Sequence, residues 1–153
     1  MTDQPAPEHQ RPAGVDDATV AALGKLSEAL EVVEEARGHL YAFHRRCGTA
    51  DLTLGEAVDQ LRSSGHPDLA ERIERELVGR NVLEGRWSFQ LVEEYDDTYY
   101  SVFKQTEQGV RDELVEGRRH LFEAEMKEDR RTPGHRHHEA TPNDTARPQQ
   151  GTR

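Results

Sequence analysis

Apolar residues recur at helical spacing along the chain, and the longest such stretch runs from about Trp87 to Glu128 without a proline. Its apolar or small positions follow one another at steps of three and four, in an eleven-residue repeat close to the α-helical period. They are Val92, Tyr95, Tyr99, Phe103, Thr106, Val110, Leu114, Gly117 and Leu121. The pattern predicts one helix over residues 87–128 whose apolar face needs a covering partner.

A heptad pattern predicts a second long helix over residues 16–47. Asp16 or Asp17 can cap its first turn, and Gly48 would end it. Two heptad series make up the seam that we expect to be buried: Ala22, Ala29, Ala36 and Phe43, and Leu26, Val33, Leu40 and Cys47. A third series adjoins the seam and turns polar in its second half: Leu23, Leu30, Arg37 and His44. The alanines would let a neighbouring helix approach closely.

Two short helices are predicted between the long ones. Thr53 and Glu56 have the spacing of a capping box, which starts a helix over residues 54–63 with Gly65 beyond its end. The next helix begins at Pro67, covers residues 67–79 and has an apolar stripe of Leu69, Ala70, Ile73 and Leu77.

Together these elements predict an all-α fold, an antiparallel helical bundle of two long helices (about 16–47 and 87–128) with two short helices (about 54–63 and 67–79) between them. Residues 15–129 would form a single domain. Residues 1–14 and 130–153 have proline, glycine and charge without periodicity, so we expect disordered tails there.

Composition narrows the possible functions. Of the 153 residues, 33% are hydrophobic and 33% charged, with a net charge of −10. Residues 130–153 are net +3, which leaves −13 on residues 1–129 and argues against binding to nucleic acid or to anionic membranes. One cysteine, no signal-peptide pattern and no membrane span favour a cytoplasmic protein. The 17 arginines against three lysines are typical of a GC-rich bacterial genome.

The most site-like pattern arises where the two long helices would meet. Arg37, His44 and Cys47 lie on inward series of the first helix, and the last helix enters from the same end with its own polar residues Tyr95, Asp96 and Tyr99. A carboxylate there needs a partner, which Arg37 or His44 can supply. The favoured interpretation is a structural polar layer that fixes helix register. The alternative is a catalytic pocket built from these six residues, or a metal site of His44, Cys47 and Asp96. No particular cofactor is indicated.

Two further histidine patterns are weaker. The segments Glu35–Tyr41 and Glu116–Phe122 both read E-x-R-x-H-L-aromatic, which favours solvated Glu–His pairs one helical turn apart over a di-iron centre. The segment from His135 to His138 contains three imidazoles that could bind a transition metal, although a flexible polar tract is the simpler interpretation.

The last predicted helix has a second apolar strip, formed by Val115, Phe122 and Met126. A helix that is apolar on two sides needs two neighbours, so this strip predicts a homodimer or a protein partner. The sequence therefore predicts a small acidic protein that acts through protein association, with a helical-bundle metalloprotein or enzyme as the alternative.

Overall fold

Residues 4–141 are described by the computed structural model, and their regular structure is helical. The elements are a 3-10 turn at Pro7–His9, α1 at Asp17–Ser63, α2 at Pro67–Glu76, α3 at Ser88–Tyr95, a π-helical turn at Asp96–Tyr100, α4 at Ser101–Val115 and α5 at Leu121–Arg130. The all-α prediction is confirmed, whereas the antiparallel four-helix bundle stays a prediction. The outer parts of the predicted tails, residues 1–3 and 142–153, lie outside the described range. No helix within residues 4–141 is long and apolar enough to cross a membrane.

The chain divides into two compact units. Among the described residues, unit 1 comprises residues 4–29 and 105–141, and unit 2 comprises Leu30–Lys104. Helices α1 and α4 contribute residues to both.

Helix α1 is longer than predicted. It begins where Asp16 Oδ1 accepts a hydrogen bond from the Thr19 amide at 2.8 Å, as the sequence indicated. It does not end at Gly48, and the separate helix predicted for residues 54–63 is its last part. Thr53 and Glu56 are therefore helix-interior residues rather than a capping box. The true end is a Schellman motif, in which the His66 amide donates to the Leu61 carbonyl at 2.9 Å and Gly65 adopts a φ of +90°.

The heptads explain why α1 passes through Gly48. Within unit 2, two series remain at least partly covered over the whole helix: Leu30, Arg37, His44, Asp51 and Val58, and Val33, Leu40, Cys47, Leu54 and Leu61. Covering these side chains outweighs the cost of one helical glycine, about 1 kcal/mol. The alanine series predicted to lie in the seam is instead exposed, at Ala22, Ala29, Ala36 and Phe43. The prediction that a neighbouring helix packs closely against these alanines is therefore wrong.

A π-helical turn changes which face of the last long helix is covered. The Ser101 amide donates to the carbonyl of Asp96, five residues earlier, so the turn contains one more residue than an α-helical turn. At three positions the covered residue falls one place later than predicted: Tyr100 rather than Tyr99, Glu107 rather than Thr106, and Val115 rather than Leu114. Phe103 and Val110 are partly buried, as predicted.

The single helix predicted for residues 87–128 is wrong at residues 116–120. Glu116, Gly117 and His120 have φ values of 58°, 73° and 59°, which belong to the left-handed region and end an α-helix. Beyond this break, Leu121 packs with Val20 and Val115 to form the hydrophobic core of unit 1, joined by Val15 and Leu23. The break brings Leu121 into this core.

Candidate functional site

Three polar residues of α1 lie in its covered heptad series within unit 2. Arg37, His44 and Asp51 are seven residues apart, which is about 10 Å along a helix axis. Each bonds to a different position in the later part of the unit. We call these three residues and their partners the polar row.

Arg37 forms the first member of the row with Asp96. Its Nε lies 2.7 Å from Asp96 Oδ1 and its Nη2 lies 3.0 Å from Oδ2, so the pair is bidentate. The two side chains are 30% and 26% exposed. Hydrogen bonding to the guanidinium lowers the pKa of the Asp96 carboxyl below its usual value. Of the two partners predicted for Asp96, the structure supplies Arg37.

Aromatic rings enclose the same guanidinium. The Arg37 Cζ lies 4.6 Å from the centroid of the Tyr100 ring and 5.0 Å from that of Tyr41, within cation–π range. Tyr100 donates to Glu34 Oε1 at 2.5 Å, and this hydrogen bond raises the pKa of the Tyr100 phenol. The extra residue of the π turn places Tyr100, rather than Tyr99, in this cluster.

His44 pairs with Ser88 rather than with Asp96. Its Nδ1 lies 2.8 Å from Ser88 Oγ, at the first position of α3. Enzymes that use a serine nucleophile also place its hydroxyl beside an imidazole, which acts as the base. In a catalytic triad a third group, usually a carboxylate, orients that imidazole. No carboxylate within residues 4–141 accepts a hydrogen bond from His44. The His44–Ser88 pair joins α1 to α3.

Asp51 completes the polar row by accepting a hydrogen bond from the Gly79 amide at 2.7 Å. The partners of Arg37, His44 and Asp51 are thus residues 96, 88 and 79, in reverse chain order. This order means that α3 runs antiparallel to α1 within unit 2. Every buried side-chain nitrogen and oxygen in residues 4–141 has a hydrogen-bond partner. A row of side chains that each bond to one position of the facing segment favours one register between the two.

The other predicted site residues lie near the row without joining it in a ligand cluster. The rings of Tyr95 and Tyr99 contact each other, with centroids 5.4 Å apart, and burial raises the pKa of the Tyr95 phenol. Cys47 is a half-buried free thiol. No three histidine, cysteine, aspartate or glutamate side chains within residues 4–141 are placed to hold a metal ion together. His44, Cys47 and Asp96 remain metal candidates by sequence alone.

The repeated E-x-R-x-H-L segments have different structures. Glu35 and His39 form the expected exposed pair one helical turn apart, at 3.8 Å. The equivalent Glu116 and His120 lie in the break between α4 and α5, where Glu116 pairs with Arg118 at 2.9 Å. In the later histidine segment, the rings of His135 and His138 contact each other edge to face.

Sequence reasoning missed a buried ion pair in unit 1. Glu107 and Arg111 are 7% and 11% exposed and form two hydrogen bonds of 2.9 and 3.1 Å. Ser27 donates to Glu107 at 3.2 Å, and Arg111 donates to the Gly117 carbonyl at 3.2 Å. The pair therefore stabilises the end of α4. The adjoining cavity measures about 20 Å³, which is room for one water molecule.

Unit 1 also contains N-terminal contacts that the sequence pattern gave no sign of. Arg11 forms a bidentate pair with Glu125 on α5, with both distances 2.7 Å. Arg118 donates to the Gln10 carbonyl at 2.6 Å. Residues of the segment 4–14, expected to form part of a tail, are thus tied to the region around α5.

The apolar strip predicted from Val115, Phe122 and Met126 does not exist as one surface. Val115 is 1% exposed and belongs to the core of unit 1, because the break at residues 116–120 separates it from α5. Phe122 and Met126 are 45% and 47% exposed. Phe122 also packs against α1, where a Cβ added to Gly24 would lie 2.9 Å from the Phe122 Cγ. Val115 therefore cannot form part of the predicted partner surface.

Unit 2 leaves a different set of large apolar side chains exposed, in and after α2. We call it the 69–89 surface, and its members are Leu69, Leu77, Val78, Val82, Leu83, Trp87 and Phe89. The predicted apolar stripe of α2 is thus only half covered: Ala70 is buried, but Leu69 and Leu77 are exposed. The seven side chains belong to one continuous segment of the chain, and the rings of Trp87 and Phe89 are in contact. A concentration of exposed large apolar side chains is typical of protein interaction sites.

Comparison with known proteins finds no family model that matches the chain, no similar curated protein and no similar solved structure.

Proposed function

We propose that this protein acts in the cytoplasm by binding another protein chain through the 69–89 surface. The observation that carries the proposal is the exposure of large apolar side chains on a segment that is nevertheless anchored. Trp87, the one tryptophan of the chain, is 62% exposed and contacts Phe89 edge to face. Leaving such side chains in water is unfavourable, and a partner that covers them gains that free energy.

Several contacts hold the segment that carries the 69–89 surface in place, which favours a role in binding. Asp51 holds the Gly79 amide, the turn between Leu83 and Arg86 closes with two backbone hydrogen bonds, and Arg86 pairs with Glu94. A segment fixed before binding loses little conformational entropy when a partner arrives. The polar row contributes to this function indirectly, because its Asp51 member holds the start of the connection between α2 and α3.

Photo-crosslinking in cells of the natural source tests the proposal. A photoreactive phenylalanine analogue replaces Trp87 in the full chain, and the control has the same analogue at Val32, which is 61% exposed on α1. Val32 lies roughly 18 Å along α1 from His44, whose partner Ser88 is the residue after Trp87, so it samples a different surface. We expect protein adducts from position 87 and none from position 32. If position 87 forms no adduct, or both positions form the same adducts, the proposed function is wrong.

A further inference from the structure

The charges around the 69–89 surface differ from those of the rest of the body. Residues 69–89 contain four acidic residues and four basic ones, so their net charge is zero, whereas residues 1–129 together are net −13. Two acidic copies of this chain would repel each other over most of their surfaces. Repulsion is weakest where acidic and basic residues balance.

The balanced charges are also available for pairing. Arg75 and Arg80 have no ion-pair partner among the described residues, and neither have Glu76 and Glu84. All four side chains are exposed, and each lies within two residues of Leu77, Val82 or Leu83 in sequence. A two-fold symmetric interface pairs a patch with its own copy, so charged residues of one sign repel across it whereas acidic and basic residues on the same patch can pair. An apolar centre with a rim of mixed charge meets that requirement.

We propose that the occupant of the 69–89 surface is a second copy of this chain, in a symmetric homodimer centred on Leu83 and Trp87. The inference rests on the proposed function, because it names the partner that the exposed surface binds. Arginines of the rim of one copy face glutamates of the other. Burial of both copies of Trp87 removes the largest exposed apolar side chain of the surface from water.

The test uses the purified full chain. Sedimentation velocity over a range of concentrations gives the oligomeric state, and the fluorescence of Trp87 reports its exposure without any label because the chain has no other tryptophan. We expect a dimer that dissociates on dilution, with the Trp87 emission shifting to longer wavelength in parallel. Leu83→Glu should weaken dimerisation more than about tenfold because it buries a charge in the interface. The control Val32→Glu should leave it unchanged, and circular dichroism checks that both variants fold.

Three outcomes overturn the inference: a monomer at every concentration, a dimer whose Trp87 emission does not respond to dilution, or a dimer that Leu83→Glu leaves intact. The dilution series of the wild-type chain tests dimerisation through Trp87 even if a variant misfolds. The crosslinking experiment separates this failure from failure of the proposed function. Adducts of position 87 with a different protein alone would leave the function standing and exclude the homodimer, whereas adducts of twice the chain mass support both.

Discussion

At the scale of single residues, the structure shows how a polar layer can be satisfied within a helical seam. Arg37, His44 and Asp51 would each cost free energy if they were covered alone. Each instead meets a partner of matching chemistry: a carboxylate, a hydroxyl and a backbone amide. The sequence placed Arg37 and Asp96 close enough to suggest a pair, but it could not choose between Arg37 and His44, because that choice depends on ångström-scale register between α1 and α3.

The Arg37–Asp96 pair should make stability depend on pH. Arg37 holds the pKa of folded Asp96 below its value in the unfolded chain, about 3.9. The stabilisation is therefore present above about pH 4 and is lost as the pH falls through the lower folded pKa. We expect Asp96→Asn to reduce the free energy of unfolding by about 1 kcal/mol at pH 7, and the difference from wild type to shrink at pH 3.

Urea unfolding at both pH values measures this effect. Asp97→Asn is the matched control, because Asp97 lies one residue on in the same π turn and its carboxylate has no ion pair within residues 4–141. The control should show no comparable change in pH dependence. A difference between Asp96→Asn and wild type that is equally large at pH 3 would contradict this account of the pair.

At the scale of elements, helical character followed from the sequence but several boundaries did not. Gly48 and Gly117 look alike in sequence, each within a long periodic stretch. Gly48 lies inside α1, since covered heptad positions continue beyond it to Leu54 and Leu61, whereas Gly117 has a φ of +73° and marks the end of α4. The sequence did not predict the π turn either. Tyr99 and Tyr100 are adjacent, so the apolar pattern fits equally well with either tyrosine on the covered face.

Substitution of Gly48 distinguishes the observed helix from the predicted break. With Gly48 in the helix interior and no atom within 4 Å of an added Cβ, Gly48→Ala should stabilise the protein by roughly 0.5–1 kcal/mol. Had Gly48 ended the helix with a positive φ, alanine would destabilise it. Gly65→Ala, at a φ of +90°, provides that opposite case and should lower stability. Thermal unfolding of both variants shows whether each substitution raises or lowers the stability of the protein. Destabilisation by Gly48→Ala would argue against a continuous α1.

At the scale of the whole molecule, the two units each depend on contacts between distant parts of the sequence. Arg37 and Asp96 are 59 residues apart, and Arg11 and Glu125 are 114 apart. The N-terminal segment has no helical periodicity, so a pattern-based prediction assigns it to a tail. Its contacts come from single polar groups, which leave no periodic mark in a sequence.

Removal of residues 1–12 should loosen α5. The deletion takes away Arg11, the partner of Glu125, and the Gln10 carbonyl that accepts from Arg118. We expect faster amide hydrogen exchange in residues 121–130 of the deletion variant than of the full chain. Glu125→Gln should reproduce part of the effect, since it weakens the same pair while keeping the segment. Unchanged protection of α5 in the deletion variant would show that the segment has no stabilising role.

The sequence by itself determined that the protein is helical, that α1 has heptad series, and that Arg37 and Asp96 belong to inward positions, because these properties are local patterns of three to seven residues. Tertiary contacts decided the rest: that Val115 lies in a core while Leu114 is exposed, that the alanine series of α1 faces outward, and that apolar side chains remain open at residues 69–89. Burial is set by which distant segment covers a residue, and a single periodic stripe does not specify that segment.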